Sequence, residues 1–220
     1  MCLLLAFVCA QWVFGIAFAL VSRGLLGQML AGAASTAVLL PGVFGMVMVH
    51  SGSPNDVGTQ LGFCPPRPGS LRVALWTVGK GVLGAIGVFF AMVVVLRCAG
   101  KNLGDIPVQP LMREVSGEPR SVGLVAFGLF AMMGAPLSEE LLFRSVLYQP
   151  MRAHIGVVPA AVIVSVIFAA LHFYVWGVPH LIVLSLTFTA LFECTGSLWY
   201  PIAAHGLYNG LTLVIARVAM

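Results

Sequence analysis

The sequence predicts an all-α protein, a polytopic transmembrane helix bundle of about seven spans. Three observations carry that prediction. Of the 220 residues, 60% are hydrophobic and only 8% are charged, where a soluble domain carries roughly 25%. The mean hydropathy is +1.04. The apolar residues also fall into long runs parted by clusters of Pro, Gly and charge. A surface so poor in charge cannot be hydrated, so lipid must be the solvent for most of the chain.

Each run is judged against the roughly 20 apolar residues that a helix needs to cross a bilayer. Residues 3–21 qualify and end at Ser22-Arg23. This stretch lacks a basic leading region, so it reads as a retained span rather than a cleaved signal peptide. Residues 25–49 form the second run. A Pro/Gly-rich loop, 51–70, separates it from a third run, 71–98, in which Lys80 can snorkel toward the headgroups. A polar loop, 100–120, then divides an N-terminal region, 1–119, from a C-terminal core, 120–220. Within 121–150, Pro136 lacks an amide donor and suggests a kink or a helix restart, with Ser138 as a cap. Runs at 157–173, 179–195 and 199–218 complete the set. No internal repeat is visible.

The net charge is +4. Its basic residues, among them Arg23, Arg72, Arg97, Lys101, Arg120, Arg152 and Arg217, flank apolar runs as headgroup contacts do. No nucleic-acid patch is present. The five cysteines, Cys2, Cys9, Cys64, Cys98 and Cys194, are odd in number and include no CxxC. They read as small embedded hydrophobes rather than a disulfide or zinc framework.

Function is concentrated in polar residues at membrane depth. An ionisable side chain there costs about 2.5–3.5 kcal/mol to insert, so each one is a functional candidate. The C-terminal core holds Glu139, Glu140, Arg144, His172, His180, Glu193 and His205. On an α-helix Glu140 and Arg144 share a face and can pair. Glu139 points about 140° away from Arg144 and stays free for general acid–base work. His172 shares a face with Phe168 and, taken alone, reads as an interhelical hydrogen-bond partner before it reads as a catalytic group. His205 and Asn209, four apart, can donate together to a developing oxyanion or tie two helices. Glu193 and His180 read as structural, the latter in a loop or at the membrane interface. A carboxylate, two histidines and an asparagine on three apolar helices supply the parts for amide hydrolysis.

The order EExxxR, FxxxH, HxxxN resembles the family of type II CAAX prenyl proteases and bacteriocin-processing enzymes, the CPBP or ABI intramembrane proteases. The segments that carry it are APLSEELLFRSVLYQPMR at 135–152, FAALH at 168–172 and TGSLWYPIAAHGLYN at 195–209. The likeness covers roughly 120–215. It implies an integral-membrane endopeptidase in which Glu139 activates water with His172, His205 and Asn209 stabilise the oxyanion, and Glu140 and Arg144 form a supporting pair. It leaves two chemistries open. A metal-free glutamate mechanism is favoured, because there is no HExxH and Asn209 suits oxyanion binding. The alternative is Zn2+ held by Glu139, His172 and His205, with Glu140 as base. The implied partners are the lipid bilayer and a peptide or membrane-protein substrate, prenylated in the CAAX case. The short loops suggest a bacterial plasma membrane. Two other readings use the same residues: a catalytically silent scaffold or immunity protein, and a transporter with a Glu/His proton relay.

Overall fold

The computed structural model describes residues 25–51, 54–102, 104, 109–119 and 121–219. The first expected span, 3–21, lies outside them. The described residues are helical, with no strand among them. The helices are α1 (Leu25–Ser51), α2 (Pro54–Gln60), α3 (Ser70–Cys98), α4 (Pro110–Gly117), α5 (Val122–Ile155), α6 (Val157–Ala170), α7 (Val178–Thr195) and α8 (Trp199–Ala219). Short helices, α2 and α4, occupy part of the two stretches expected as loops. His180 falls in the first turn of α7. Three helical stretches are long and apolar enough to cross a membrane: α3, α5 and Val175–Thr195, which joins α7 to the short turn before it. Along α3 the apolar side chains stay open, with Trp76 and Leu83 each 69% exposed. That is the surface of an integral membrane protein, since water would disfavour it by roughly 25 cal/mol per Å2.

The chain forms two compact units. Among the described residues, the first comprises those within 25–61, 110–141 and 205–219. Its buried centre is Leu25 of α1, Val115 of α4, Phe127 of α5 and Ala216 of α8. Gly32 lies where a Cβ would strike the Phe130 ring, so only glycine lets α1 and α5 approach there. Arg217 ends this unit's polar accounting. Its guanidinium donates to the carbonyls of Val115, Ser116 and Glu118, at 3.1, 3.1 and 2.6 Å. These are carbonyls at the end of α4, which have no intrahelical donor, and a cation suits that end of a helix.

The second unit comprises Gly62–Gln109 and Leu142–Ala204. Here α7 packs against both α3 and α6. Ala74, Phe188 and Leu191 form its buried centre. In lipid there is little hydrophobic drive between helices, so close approach at small residues matters more. Gly81 meets the Thr187 side chain and Gly84 meets Val183, both on α7. The stretch before α3 is tied to the α7–α8 turn. Leu198 N–H donates to the Gly62 carbonyl at 2.8 Å, and the Ser197 hydroxyl to the Cys64 carbonyl at 2.7 Å. Arg67 donates to the carbonyls of Thr195, through its amide, and Glu193, through its guanidinium, closing the end of α7.

The helix α5 is continuous, so Pro136 kinks no restart into being. Two π-helical stretches interrupt its α-geometry, Phe130–Gly134 and Leu141–Tyr148. The first absorbs the proline. In it the Ala135 amide reaches back five residues, to the Phe130 carbonyl. Ser138 is not a cap: its hydroxyl donates backward to the Gly134 and Ala135 carbonyls at 3.1 and 2.9 Å. Those bonds satisfy the hydroxyl within the helix, as Ser and Thr do at membrane depth.

Candidate active site

In the first unit, α5 and α8 bring three of the expected residues together. Glu139 and Glu140 end the α-turn between the two π stretches. His205 lies on α8, its side chain 4% exposed. Its Nδ1 is 2.8 Å from Glu140 Oε1, and the Glu140 side chain has no exposure at all. Its Nε2 is 3.9 Å from Glu139 Oε2. That second distance is too long for a hydrogen bond. Glu139 is the more open of the two carboxylates, at 32%, although its Oε2 is buried and accepts no hydrogen bond among the described residues. The environments therefore differ. One acid is enclosed and fixed on an imidazole, while the other is partly open and faces the far nitrogen of the same ring.

This arrangement constrains the ring. An ionised Glu140 only accepts, so Nδ1 donates to it. Nε2 is then an acceptor in the neutral ring and a donor in the imidazolium. Asn209, one turn further along α8, donates from Nδ2 to the Ala131 carbonyl at 2.8 Å. Its second amide hydrogen has no acceptor among the described residues. Gly206, between them, meets the Met132 carbonyl so closely that a Cβ would collide with it.

In the second unit, Arg144 is fully buried in the second π stretch. There hydrogen bonds reach back five residues rather than four. Its Nη2 donates to the carbonyl and hydroxyl of Ser185, at 2.9 and 3.0 Å. Its guanidinium carbon lies 5.5 Å from the ring centres of Phe168 and Phe188, and 6.0 Å from that of Phe143. A desolvated guanidinium over aromatic faces gains about 2 kcal/mol from such contacts. Glu193 pairs with Arg152 at 2.9 Å.

His172 stands just beyond α6, not within a helix. The last turn tightens, and the His172 amide donates to Ala169 rather than to Phe168. Phe173 follows in the left-handed region, at φ 48°, a conformation costly for a bulky side chain. The Phe168 carbonyl, bypassed by the tightened turn, accepts instead from the His172 ring: Nδ1 lies 2.7 Å away. The ring also packs on Phe168, with centres 4.5 Å apart. A carbonyl can only accept, so Nδ1 carries a hydrogen, and in the neutral ring Nε2 is left as an acceptor. That is the form a general base needs.

Sequence reasoning missed Ser185 and the Ala131 carbonyl. Ser185 did leave a signal, as a hydroxyl inside the apolar stretch LIVLSLTF. The carbonyl left none beyond Pro136. Among the described residues no group of three or more His, Cys, Asp or Glu is placed to hold a metal ion.

No curated protein and no solved structure matches the chain. Residues 121–211, which contain all three motifs and every residue of the candidate site, match the family model of the Rce1-like type II CAAX prenyl endopeptidases.

Proposed function

We propose that this chain is an intramembrane endopeptidase that hydrolyses peptide bonds through a glutamate-activated water. The observation that carries the reading is the Glu139–His205–Glu140 arrangement, one imidazole between two unlike carboxylates. The family match supports it from an independent side.

In this proposal Glu139 is the general base. Its partly open carboxylate takes a proton from water as the oxygen attacks the substrate carbonyl. His172 assists through Nε2; it enters on the family motif and on its own tautomer, fixed by Phe168. The attack places negative charge on the carbonyl oxygen. His205, protonated, donates from Nε2 to that oxygen, and the second amide hydrogen of Asn209 adds to it. Glu140 holds the imidazole by Nδ1 and offsets its positive charge. Glu139 then returns the proton to the leaving amine. Arg144 fixes α7 through Ser185 and the position of Phe168. The substrate is a membrane-associated or CAAX-type peptide, and the location a bacterial plasma membrane.

The test is cleavage of quenched-fluorescent peptides, one of them farnesylated at a CAAX terminus, by protein purified in detergent. Glu139→Gln and His172→Ala should each lower kcat by roughly 10³-fold or more, since removal of a base or of an oxyanion donor costs on that order. Wild-type activity should persist with a zinc chelator. Activity that survives Glu139→Gln would overturn the assignment. Loss with chelator, restored by zinc, would replace the metal-free mechanism with a metal one.

A further inference from the structure

The first π stretch has an acceptor that the helix itself cannot satisfy. Its hydrogen bonds run back five residues, and the last is Ala135 N–H to Phe130. The next in that register would run from residue 136 to the Ala131 carbonyl. Residue 136 is a buried proline and has no N–H. At membrane depth no water stands in, and an unmatched backbone carbonyl is costly. The donor at Ala131 is Asn209, at 2.8 Å. The packing beside it is built for the same approach. Gly206 admits the Met132 carbonyl, and Gly210 admits the Met132 side chain. Three residues of one face of α8, at spacings of three and one, thus fit two consecutive residues of α5.

We infer that Pro136 and Asn209 form one clamp: the proline removes an amide donor from α5, and the asparagine amide replaces it from α8. The clamp fixes the register in which Glu139 and Glu140 meet His205, four residues from Asn209 on the same helix. Asn209 is thereby a positioning residue through one amide hydrogen, in addition to the oxyanion role given to the other. The consequence for activity rests on the endopeptidase reading; the clamp itself does not.

The clamp predicts a specific rescue. Asn209→Ala leaves the Ala131 carbonyl unmatched, but Pro136→Ala restores a backbone N–H to serve it. The full-length protein in detergent should therefore be measured as wild type, Asn209→Ala, Pro136→Ala and the double variant, for thermal midpoint and for kcat and KM. Asn209→Asp, an isostere that cannot donate when ionised, provides a second version of the cycle. Asn209→Ala should lower the midpoint by several degrees and kcat by roughly 100-fold. Pro136→Ala alone should change little, because a carbonyl accepts two hydrogen bonds. The double variant should recover most of the midpoint and at least fivefold in kcat over Asn209→Ala, the remaining deficit being the oxyanion share. Midpoints that simply add overturn the clamp. A recovered midpoint without recovered kcat overturns the positioning role. If wild type cleaves nothing, the endopeptidase reading fails, yet a coupled midpoint still supports the clamp.

Discussion

The hydrogen bond from His205 Nδ1 to Glu140 can be tested almost without disturbing shape. Glu140→Gln replaces one oxygen by an NH2 of nearly equal size in a site with no exposure. The glutamine can still accept from Nδ1 through its oxygen, but it no longer offsets an imidazolium. It can also present its NH2 instead, which draws the hydrogen to Nε2 and inverts the tautomer. A charge-assisted bond is worth about 1.5–3 kcal/mol, against about 1 for a neutral one. The loss is therefore about 0.5–2 kcal/mol, roughly 2- to 30-fold in kcat, and loss of the imidazolium altogether would bring it to roughly 10²–10⁴-fold. Glu140→Asp should be no better, since a chain one methylene shorter cannot hold a 2.8 Å contact from the same backbone. The assay is steady-state cleavage by each variant, with the thermal midpoint as a check on folding and Glu139→Gln as the comparison. The reasoning fails if Glu140→Gln leaves kcat unchanged while Glu139→Gln abolishes it.

Three other outcomes follow from contacts described above. Arg144→Met should lower the thermal midpoint and cost about 3–5 kcal/mol, because two Ser185 acceptors and the aromatic faces lose a buried cation; Ser185→Ala, which removes only the hydroxyl, should cost about 1, and denaturation in mild detergent reads both. Gly206→Ala should destabilise the fold more than Gly45→Ala, since the first Cβ collides with the Met132 carbonyl and the second meets nothing; equal midpoints would mean α8 stands off from α5. Arg217→Met should uncover the carbonyls at the end of α4, costing about 1–3 kcal/mol, with limited proteolysis between α4 and α5 as the readout.

Hydropathy placed α3 and α7 to within a residue or so, because a lipid-exposed helix must be apolar along its whole length and the pattern needs no partner to be read. It could not show the π stretches of α5. Their five-residue hydrogen bonds leave composition unchanged, and Pro136 alone fits a kink, a restart or a π-turn equally well. The same blindness reached the site. Glu140 and His205 are 65 positions apart, so no local spacing rule joins them. The motif residues themselves were visible, since a charge in an apolar run is conspicuous. Their partners were not, because most are backbone carbonyls: Phe168 for His172, Ala131 for Asn209, and Ser185, in part, for Arg144. Every residue has a carbonyl, and only a fold shows which one is left over.

The bond between His172 and Phe168 spans a single helical turn. The proton arrangement of this imidazole is therefore settled by five consecutive residues and the bend at Phe173. It needs no approaching ligand and no distant side chain. A histidine oriented from within its own segment keeps its acceptor nitrogen ready while the surrounding bundle flexes, and it has no tautomeric exchange to complete when a substrate arrives. Changes of lipid or bilayer thickness that tilt one helix against another would carry the ring and its tether together.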